Sequence, residues 1–486
     1  ITEAALGPDH PDVATLLGNQ AASFHALGRP GEAVPLQERA LAITEAAFGP
    51  DHPTVATLLG QLASSFRALG RPGGAVPLEE RALAITEAAF GPHHPDMATR
   101  LGNLASSYNA LGRPGEAVPL QERALAITEA AFGPDHPDVA TLLGNLASSH
   151  YALGHPGEAV RLEERALAIV ETSFGPDHPD MAIRLGNLAS NYHALGRPGE
   201  AERLEQRALA IIEAALGPDH PDVAIRLGNL ASSHYALGHP GEAVPLQQRA
   251  LAITEAALGP DHPDMAILLG NLASSYHALG RTGEAVPLQQ RALAITEAAL
   301  GPDHPDVAIG LGNLALSFYA LGRPGEAVPL QQRALAIVET SFGPDHPTVA
   351  IFLGSLASSY DALGRTGEAV PLEERALTIT EAAFGPDHPD MAIRLGNLAS
   401  SYHALGRTGE AVPLQQRALA ITETVFGPDH PQAKVLRQNL DYMHHQRTKQ
   451  TSRCAPAHYG DSNRNAPCPC GSGRKFKRCH GAGSAS

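Results

Sequence analysis

Residues 253–294 read ITEAALGPDHPDMAILLGNLASSYHALGRTGEAVPLQQRALA, and variants of this stretch run head to tail through most of the chain. Its first position is held by Ile1, Ile43, Ile85, Ile127, Ile169, Ile211, Ile253, Ile295, Ile337, Ile379 and Ile421, so the period is 42 residues, without insertion or deletion, over ten full units. A fixed period of this size, repeated well beyond three copies, marks a solenoid in which each unit buries its apolar side only against its neighbours. Length alone would suggest about three globular domains. The repeat replaces that division with an array and a tail.

Within the unit, Ala266, Leu269, Leu272, Ala273, Tyr276 and Leu279 recur at helical spacing, and Gly280 follows as a C-terminal stop. After a short turn, Ala285, Leu288, Ala292, Ile295 and Ala299 mark a second amphipathic helix that ends at Gly301 and Pro302. Pro305 opens the next helix, where its missing N–H is harmless, and Asp306 complements the dipole of the first turn. Each unit is one helical hairpin, so the fold expected is all-α. Trp is absent and Ala abundant, which suits helices in close approach. The eleventh unit keeps GPDHP and places Asn439 and Leu440 in register, then becomes QNLDYMHHQRTK, polar where its counterparts are apolar. This predicts a capping helix that ends the array at residue 446.

The net charge of -16 argues against a general nucleic-acid or acidic-membrane surface. No apolar run is long enough to cross a bilayer. The four cysteines all lie after residue 453, too few for a secreted disulfide scaffold, which favours a reducing, cytoplasmic setting. The chain opens with ITEAALGPDHP, the end of a helix whose partner would lie upstream, and lacks an initiating Met, so it is expected to be a fragment. No phosphate-cradling Gly loop, nucleophile elbow or carboxylate pair stands apart from the repeat, and no enzyme is expected. Eleven histidines occupy the GPDHP-type turns from His10 to His430. Tetrahedral zinc needs four converging donors, whereas a stack offers about one such histidine per layer, so they are expected to start helices.

The pattern LxxLAxxYxALG, then GEAVPLxxRALAI and GPDHP, resembles the 42-residue tetratricopeptide repeats of the kinesin light chain type over nearly the whole array. That resemblance implies a right-handed superhelical solenoid of helical hairpins whose concave groove takes a protein or peptide. At about 100° per residue, Ile267, Asn271, Ser274 and Ala278 face away from the core stripe of the first helix, and this face is small and neutral in almost every unit. Its Asn row is Asn19, Asn103, Asn145, Asn187, Asn229, Asn271, Asn313 and Asn397, with Gln61 and Ser355 as exceptions. The resemblance implies that these carboxamides, which both donate and accept, clamp the backbone of an extended peptide. Where the family commonly has a second Asn, this chain has Gly270 and its equivalents. Two columns vary between units and are candidates for reading a ligand. One is the site of His277, and the other is the site of Leu268, which holds Arg100, Arg184, Arg226 and Arg394 among apolar residues.

Residues 447–463 are polar and patternless, as expected of a flexible basic linker. Residues 464–481 carry one compact constellation, in which Cys468 and Cys470 are followed by Cys479 and His480. Three thiolates and an imidazole suit tetrahedral Zn2+ in a closed, structural site, with Cys454 or His458 as alternatives to His480. The segment resembles the SEC-C motif, the zinc-binding knuckle of the motor subunit of the bacterial Sec translocase, through Arg464, Asn465, Pro467, Gly471, Ser472, Gly473 and the basic run. From residue 444 onward eight Lys or Arg face the single acid Asp461, and the resemblance implies docking on an acidic protein surface. The leading expectation is a protein-interaction scaffold with the zinc knuckle as a second contact. One alternative is the sensor region of a larger signalling regulator, with a nucleotide-binding part upstream. The other is nucleic-acid association through the tail, against which the acidic array argues.

Overall fold

In the computed structural model, the residues described are 6–27, 29–453 and Lys475. The first helix of each hairpin has 16 residues: α1 (Pro11–Ala26), α3 (Pro53–Ala68), α5 (Pro95–Ala110), α7 (Pro137–Ala152), α9 (Pro179–Ala194), α11 (Pro221–Ala236), α13 (Pro263–Ala278), α15 (Pro305–Ala320), α17 (Pro347–Ala362) and α19 (Pro389–Ala404). The second has 19: α2 (Pro30–Phe48), α4 (Pro72–Phe90), α6 (Pro114–Phe132), α8 (Pro156–Phe174), α10 (Pro198–Leu216), α12 (Pro240–Leu258), α14 (Thr282–Leu300), α16 (Pro324–Phe342), α18 (Thr366–Phe384) and α20 (Thr408–Phe426). Among the described residues one more helix follows, α21 (Pro431–Arg453). It carries residues 447–453, expected in the linker, in helical form. Two compact units divide the chain, Ile1–Ile253 and Thr254–Ser486, and within each the hairpins stack in sequence order.

The histidines of the turns do start helices. In α13 and α15, Nδ1 of His262 and His304 accepts from the backbone N–H two residues on, at 3.3 and 3.2 Å, satisfying one of the orphan donors of a helix N-terminus. The same bond recurs from His10 to His430. Seven of these rings also stack on the Phe that ends the preceding helix, with centroids 4.7–5.0 Å apart. At the other end of α13, Gly280 (φ 71°) donates to His277 O at 2.9 Å and Arg281 N–H to Tyr276 O at 2.8 Å. This pair of bonds is a Schellman motif, for which Gly supplies the left-handed residue. It brings the side chains of Tyr276 and Arg281 together, and the Arg281 guanidinium lies 4.5 Å over the ring. The corresponding Arg lies over the corresponding ring in eight hairpins.

The core is made of small contacts. Met97, Ala98 and Leu101 of α5 meet Ala124 and Ile127 of α6, all buried; each fully buried Leu or Met contributes roughly 1.5–3 kcal/mol. Along the second helices, ion pairs join one layer to the next. Arg333 of α16 meets Glu297 of α14 at 2.6 Å and donates to Pro302 O at 3.1 Å. Among the described residues no second helix follows α20 in register, and Arg437 of α21 takes the equivalent partners, Glu423 and Pro428 O. The first helix after the tenth hairpin thus repeats the ion pair that second helices make elsewhere in the array.

Candidate partner-binding face

On α13, Ile267, Asn271, Ser274 and Ala278 are all exposed, as the pattern required. The Ile267 row is Thr15, Thr57, Thr99 and Thr141 in the first four units, then Ile183, Ile225, Ile267, Ile309, Ile351 and Ile393, every one exposed. Unit Thr254–Ser486 therefore presents Ile267, Ile309, Ile351 and Ile393 to solvent at one position of successive first helices.

The Asn row divides. Asn19, Asn145, Asn271 and Asn313 are exposed, while Asn103, Asn187, Asn229 and Asn397 are half-buried. The second group belongs to the units with Arg100, Arg184, Arg226 and Arg394. Asn187 Nδ2 donates to Glu163 Oε1 at 3.0 Å, and Asn229 is hydrogen-bonded to Glu205. In these two units the carboxamide already has a partner inside the protein.

The Arg column does not reach out for a ligand either. Arg184 lies across Gly144 of the preceding first helix and Arg226 across Gly186, so closely that a Cβ on either glycine would overlap the guanidinium. An Arg in the next layer thus requires Gly at these positions, and likewise at Gly60 and Gly354. Arg184 reaches Glu163 at 3.7 Å and Arg226 reaches Glu205 at 3.8 Å, the carboxylates being 1 % exposed. A rule of spacing follows. Glu79, Glu163, Glu205 and Glu373 are each followed 21 residues on by Arg, whereas Gln37, Gln121, Gln247, Gln289, Gln331 and Gln415 are followed by Leu, Phe or Gly. Buried charges come in pairs because an unpaired one is costly. Glu79 and Glu373 depart in detail: Glu79 takes Arg67 as its ion-pair partner while Arg100 donates to Thr57 at 3.1 Å, and Arg394 acts on Glu373 through its charge without a direct hydrogen bond.

The His277 column also turns inward. His193 Nε2 meets Ser233 at 2.7 Å, His277 meets Ser317 at 2.6 Å, Asn109 donates to Ser149 at 2.8 Å, and Asp361 accepts from Ser401 at 2.8 Å. In these layers the column residue serves the buried Ser of the next hairpin, whereas Ser65, Ser275 and Ser359, 40 residues after His25, Tyr235 and Tyr319, have no hydrogen-bond partner among the described residues. Only the tyrosines Tyr151, Tyr235 and Tyr319 of this column are exposed.

At one place the wall of the face is missing. The residue that covers the glycine of the preceding layer is Gly310 in α15, where other units have Leu, Arg or Phe, so nothing lies over Gly270. The result is an apolar cleft with Gly270 and Gly310 at its floor and Leu293, Thr296 and Leu300 of α14 behind it. Ile267 (65 % exposed) and Ile309 (56 %) flank it, and the exposed Asn313 is among its lining. One Gly at a variable position makes the cleft, and reading the columns singly conceals it.

The buried carboxylates titrate unusually. Burial pushes Glu205 up to about 6 and Glu373 up to about 7, the latter with Asp361 adding to burial while Ser401 and Arg394 oppose it. A folded-state pKa above the unfolded one means that the native protein holds the proton more tightly, so this contribution is complete below about pH 4.5 and is lost as pH rises through about 7. Urea unfolding followed from pH 5 to 8 should show the wild type losing stability relative to Glu373→Gln, by on the order of 2 kcal/mol. Parallel curves would contradict the assignment.

A tetratricopeptide repeat model matches overlapping stretches that together span residues 1–382, a second matches 392–432, and the SEC-C motif matches 464–482. Among curated proteins, protein translocase subunit SecA of Caulobacter vibrioides is 54% identical over 37 residues, 8% of this chain and 4% of that protein. SecA 1 of Thermobifida fusca is 59% identical over 34 residues, 7% of this chain and 3% of that protein. The chain thus spans only a few per cent of the length of these relatives. Among solved structures, the nearly identical TPR-like repeats of a Podosopora anserina kinesin light chain are 31% identical, covering 42% of this chain and 97% of that one at a TM-score of 0.39. A Signal Transduction ATPase with Numerous Domains protein with a tetratricopeptide repeat sensor, from Pyrococcus horikoshii, is 15% identical and covers 84% of this chain and 57% of that one at a TM-score of 0.56, a likeness of fold.

Proposed function

This chain belongs to the tetratricopeptide repeat family, and from that premise we propose that it is a cytoplasmic protein-interaction scaffold that holds an extended peptide segment of a partner along the exposed face of its first helices. The observation that carries this reading is the cleft at Gly270 and Gly310, an apolar recess beside exposed Ile and Asn side chains. An apolar side chain of the partner fills the recess. Asn271 and Asn313 hold its backbone from either side of that anchor, since a carboxamide matches both the N–H and the C=O of an extended chain. Asn19 and Asn145 offer the same contact elsewhere, while the half-buried Asn103, Asn187, Asn229 and Asn397 have less to give. No helix of the described residues is long and apolar enough to cross a membrane. Panning a random peptide library on the full chain tests the proposal. Selected sequences should share one apolar residue and should be lost on Asn271→Ala with Asn313→Ala; selection of sequences without an apolar anchor would overturn it.

The SEC-C segment supplies a second contact. Its proposed ligands Cys468, Cys470, Cys479 and His480 lie outside the described residues, and the donor set suits one structural Zn2+. The basic run around it docks on an acidic protein surface. Elemental analysis of the purified chain should show this ion disappearing with Cys468→Ser, and an unchanged zinc content would refute the site.

A further inference from the structure

We propose that His234, His239, Glu242 and Glu202 form a second metal site, for a divalent ion of the zinc class, that staples the fifth hairpin to the sixth. Among the described residues, His234, His239 and Glu242 form a cluster whose ligating atoms all lie within 4.8 Å of one another. His234 Nδ1 is 3.3 Å from Glu242 Oε2 and 3.9 Å from Glu202 Oε1. His234 is only 8 % exposed, and its Nδ1 makes no hydrogen bond although it is aimed into this cluster. Glu202 Oε1, the oxygen facing His234, also accepts from Gln206 at 3.0 Å, and a carboxylate oxygen keeps a second lone pair for a metal.

The backbone explains why the two imidazoles meet. His234 and His239 occupy the two positions that the Schellman motif closes, with His239 N–H donating to His234 O at 2.9 Å. Eight units place an aromatic ring and an Arg there. Exchanging both for His turns a cation–π contact into a pair of borderline-soft nitrogen donors, the ligands that zinc, copper and nickel prefer. Glu202 adds an independent departure, because the other nine units carry Val at its position. Three changes away from the repeat consensus thus converge on one spot, although two of them lie in the sixth unit and one in the fifth. Tetrahedral zinc holds its ligand atoms roughly 3.3 Å apart, from bonds of about 2.0–2.1 Å. The exposed side chains of His239 and Glu242 are free to close that remaining distance around the buried His234.

The fourth unit provides an internal control. It has His150, His155 and Glu158 in the same places, and His150 Nδ1 likewise lacks a hydrogen bond. Its counterpart of Glu202, however, is Val118, and Glu158 is held by Arg161 where the sixth unit has Pro245. That trio has two donors to offer rather than four, so the ion is assigned to the sixth unit alone.

The test uses the full chain, loaded with Zn2+ alone and desalted before elemental analysis, and three substitutions that restore what other units already carry, so the fold is kept. Glu202→Val, His234→Tyr and His239→Arg together should lower the content by one zinc per chain. Glu202→Val alone should weaken the site at least about tenfold. Cys468→Ser with Cys470→Ser should leave this ion in place. Co2+ in that tail-deficient background should show the intense visible bands of a tetrahedral site, absent from the threefold variant. Equal zinc content in wild type and threefold variant would overturn the proposal. So would loss of the ion with the tail cysteines, loss of it with His150→Tyr and His155→Arg, or imidazole NMR signals showing His234 as a protonated partner of Glu242 in the presence of Zn2+.

Discussion

Arg226→Leu is expected to lower the stability of unit Ile1–Ile253 by about 3 kcal/mol at pH 8, and adding Glu205→Gln is expected to return most of it. Arg226 is 15 % exposed and Glu205 1 %, with 3.8 Å between them. Removing the guanidinium leaves a carboxylate buried without a counter-charge, the more expensive way to break such a pair. Replacing both restores a pairing that the chain itself uses elsewhere on the same backbone, with Gln121 followed by Leu142. The converse single change, Glu205→Gln, should also destabilise, because Arg226 would then lie over Gly186 with no acid beside it. Because each layer touches only its neighbours, the loss should concentrate where the fifth and sixth hairpins meet, and hydrogen exchange should show α10 and α11 opening first. Urea unfolding of the four chains closes a double-mutant cycle. Additive single and double effects would show that Glu and Arg do not act as a unit, and would remove the physical reason offered for the 21-residue rule.

Much of this was legible in the sequence. The 42-residue period and the alternation of apolar positions demanded hairpins, Gly280 and Pro305 marked their ends, and the histidines of the turns start helices as expected. The exposed face at Ile267, Asn271, Ser274 and Ala278 followed from helical geometry alone. What could not be read was which side chains cross from one layer to the next. The distance from Glu205 to Arg226 in sequence, or from His193 to Ser233, becomes a contact only once the angle between successive hairpins is known. Columns therefore read as variable and ligand-facing when they are coupled and internal. Arg184 and His277 are the plainest cases. The signal was present as joint variation of two positions, Glu with Arg and Gln with an apolar residue. It is invisible in any one column, and the same is true of His234, His239 and Glu202. The tail differs again. Its ligand spacing is legible, but Cys468, Cys470, Cys479 and His480 lie outside the described residues.

Gly310→Leu should reduce the affinity for any peptide selected on the intact chain by about 100-fold or more, while leaving the stack as stable as before or more so. Leu is what several other units carry at this position. In α15 its side chain would occupy the cleft over Gly270, where no atom now approaches the glycine. Only Leu293 stands close, at 3.1 Å from the new Cβ, and a Leu side chain yields that small distance by turning within its rotamer well. Replacing Gly inside a helix favours the folded state by up to about 1 kcal/mol, and filling an apolar recess adds to it. The peptide, in contrast, loses the burial of its anchor, roughly 1.5–3 kcal/mol for a full-sized apolar side chain, and is pushed off the carboxamides beside it. Together these correspond to about two powers of ten. Gly310→Ala fills less of the space and should fall between the two. Fluorescence anisotropy with a labelled selected peptide, read beside thermal melts of the same proteins, separates loss of the site from loss of the fold. A leucine variant that binds as tightly as the parent would place the partner elsewhere on the chain and end the case for the cleft.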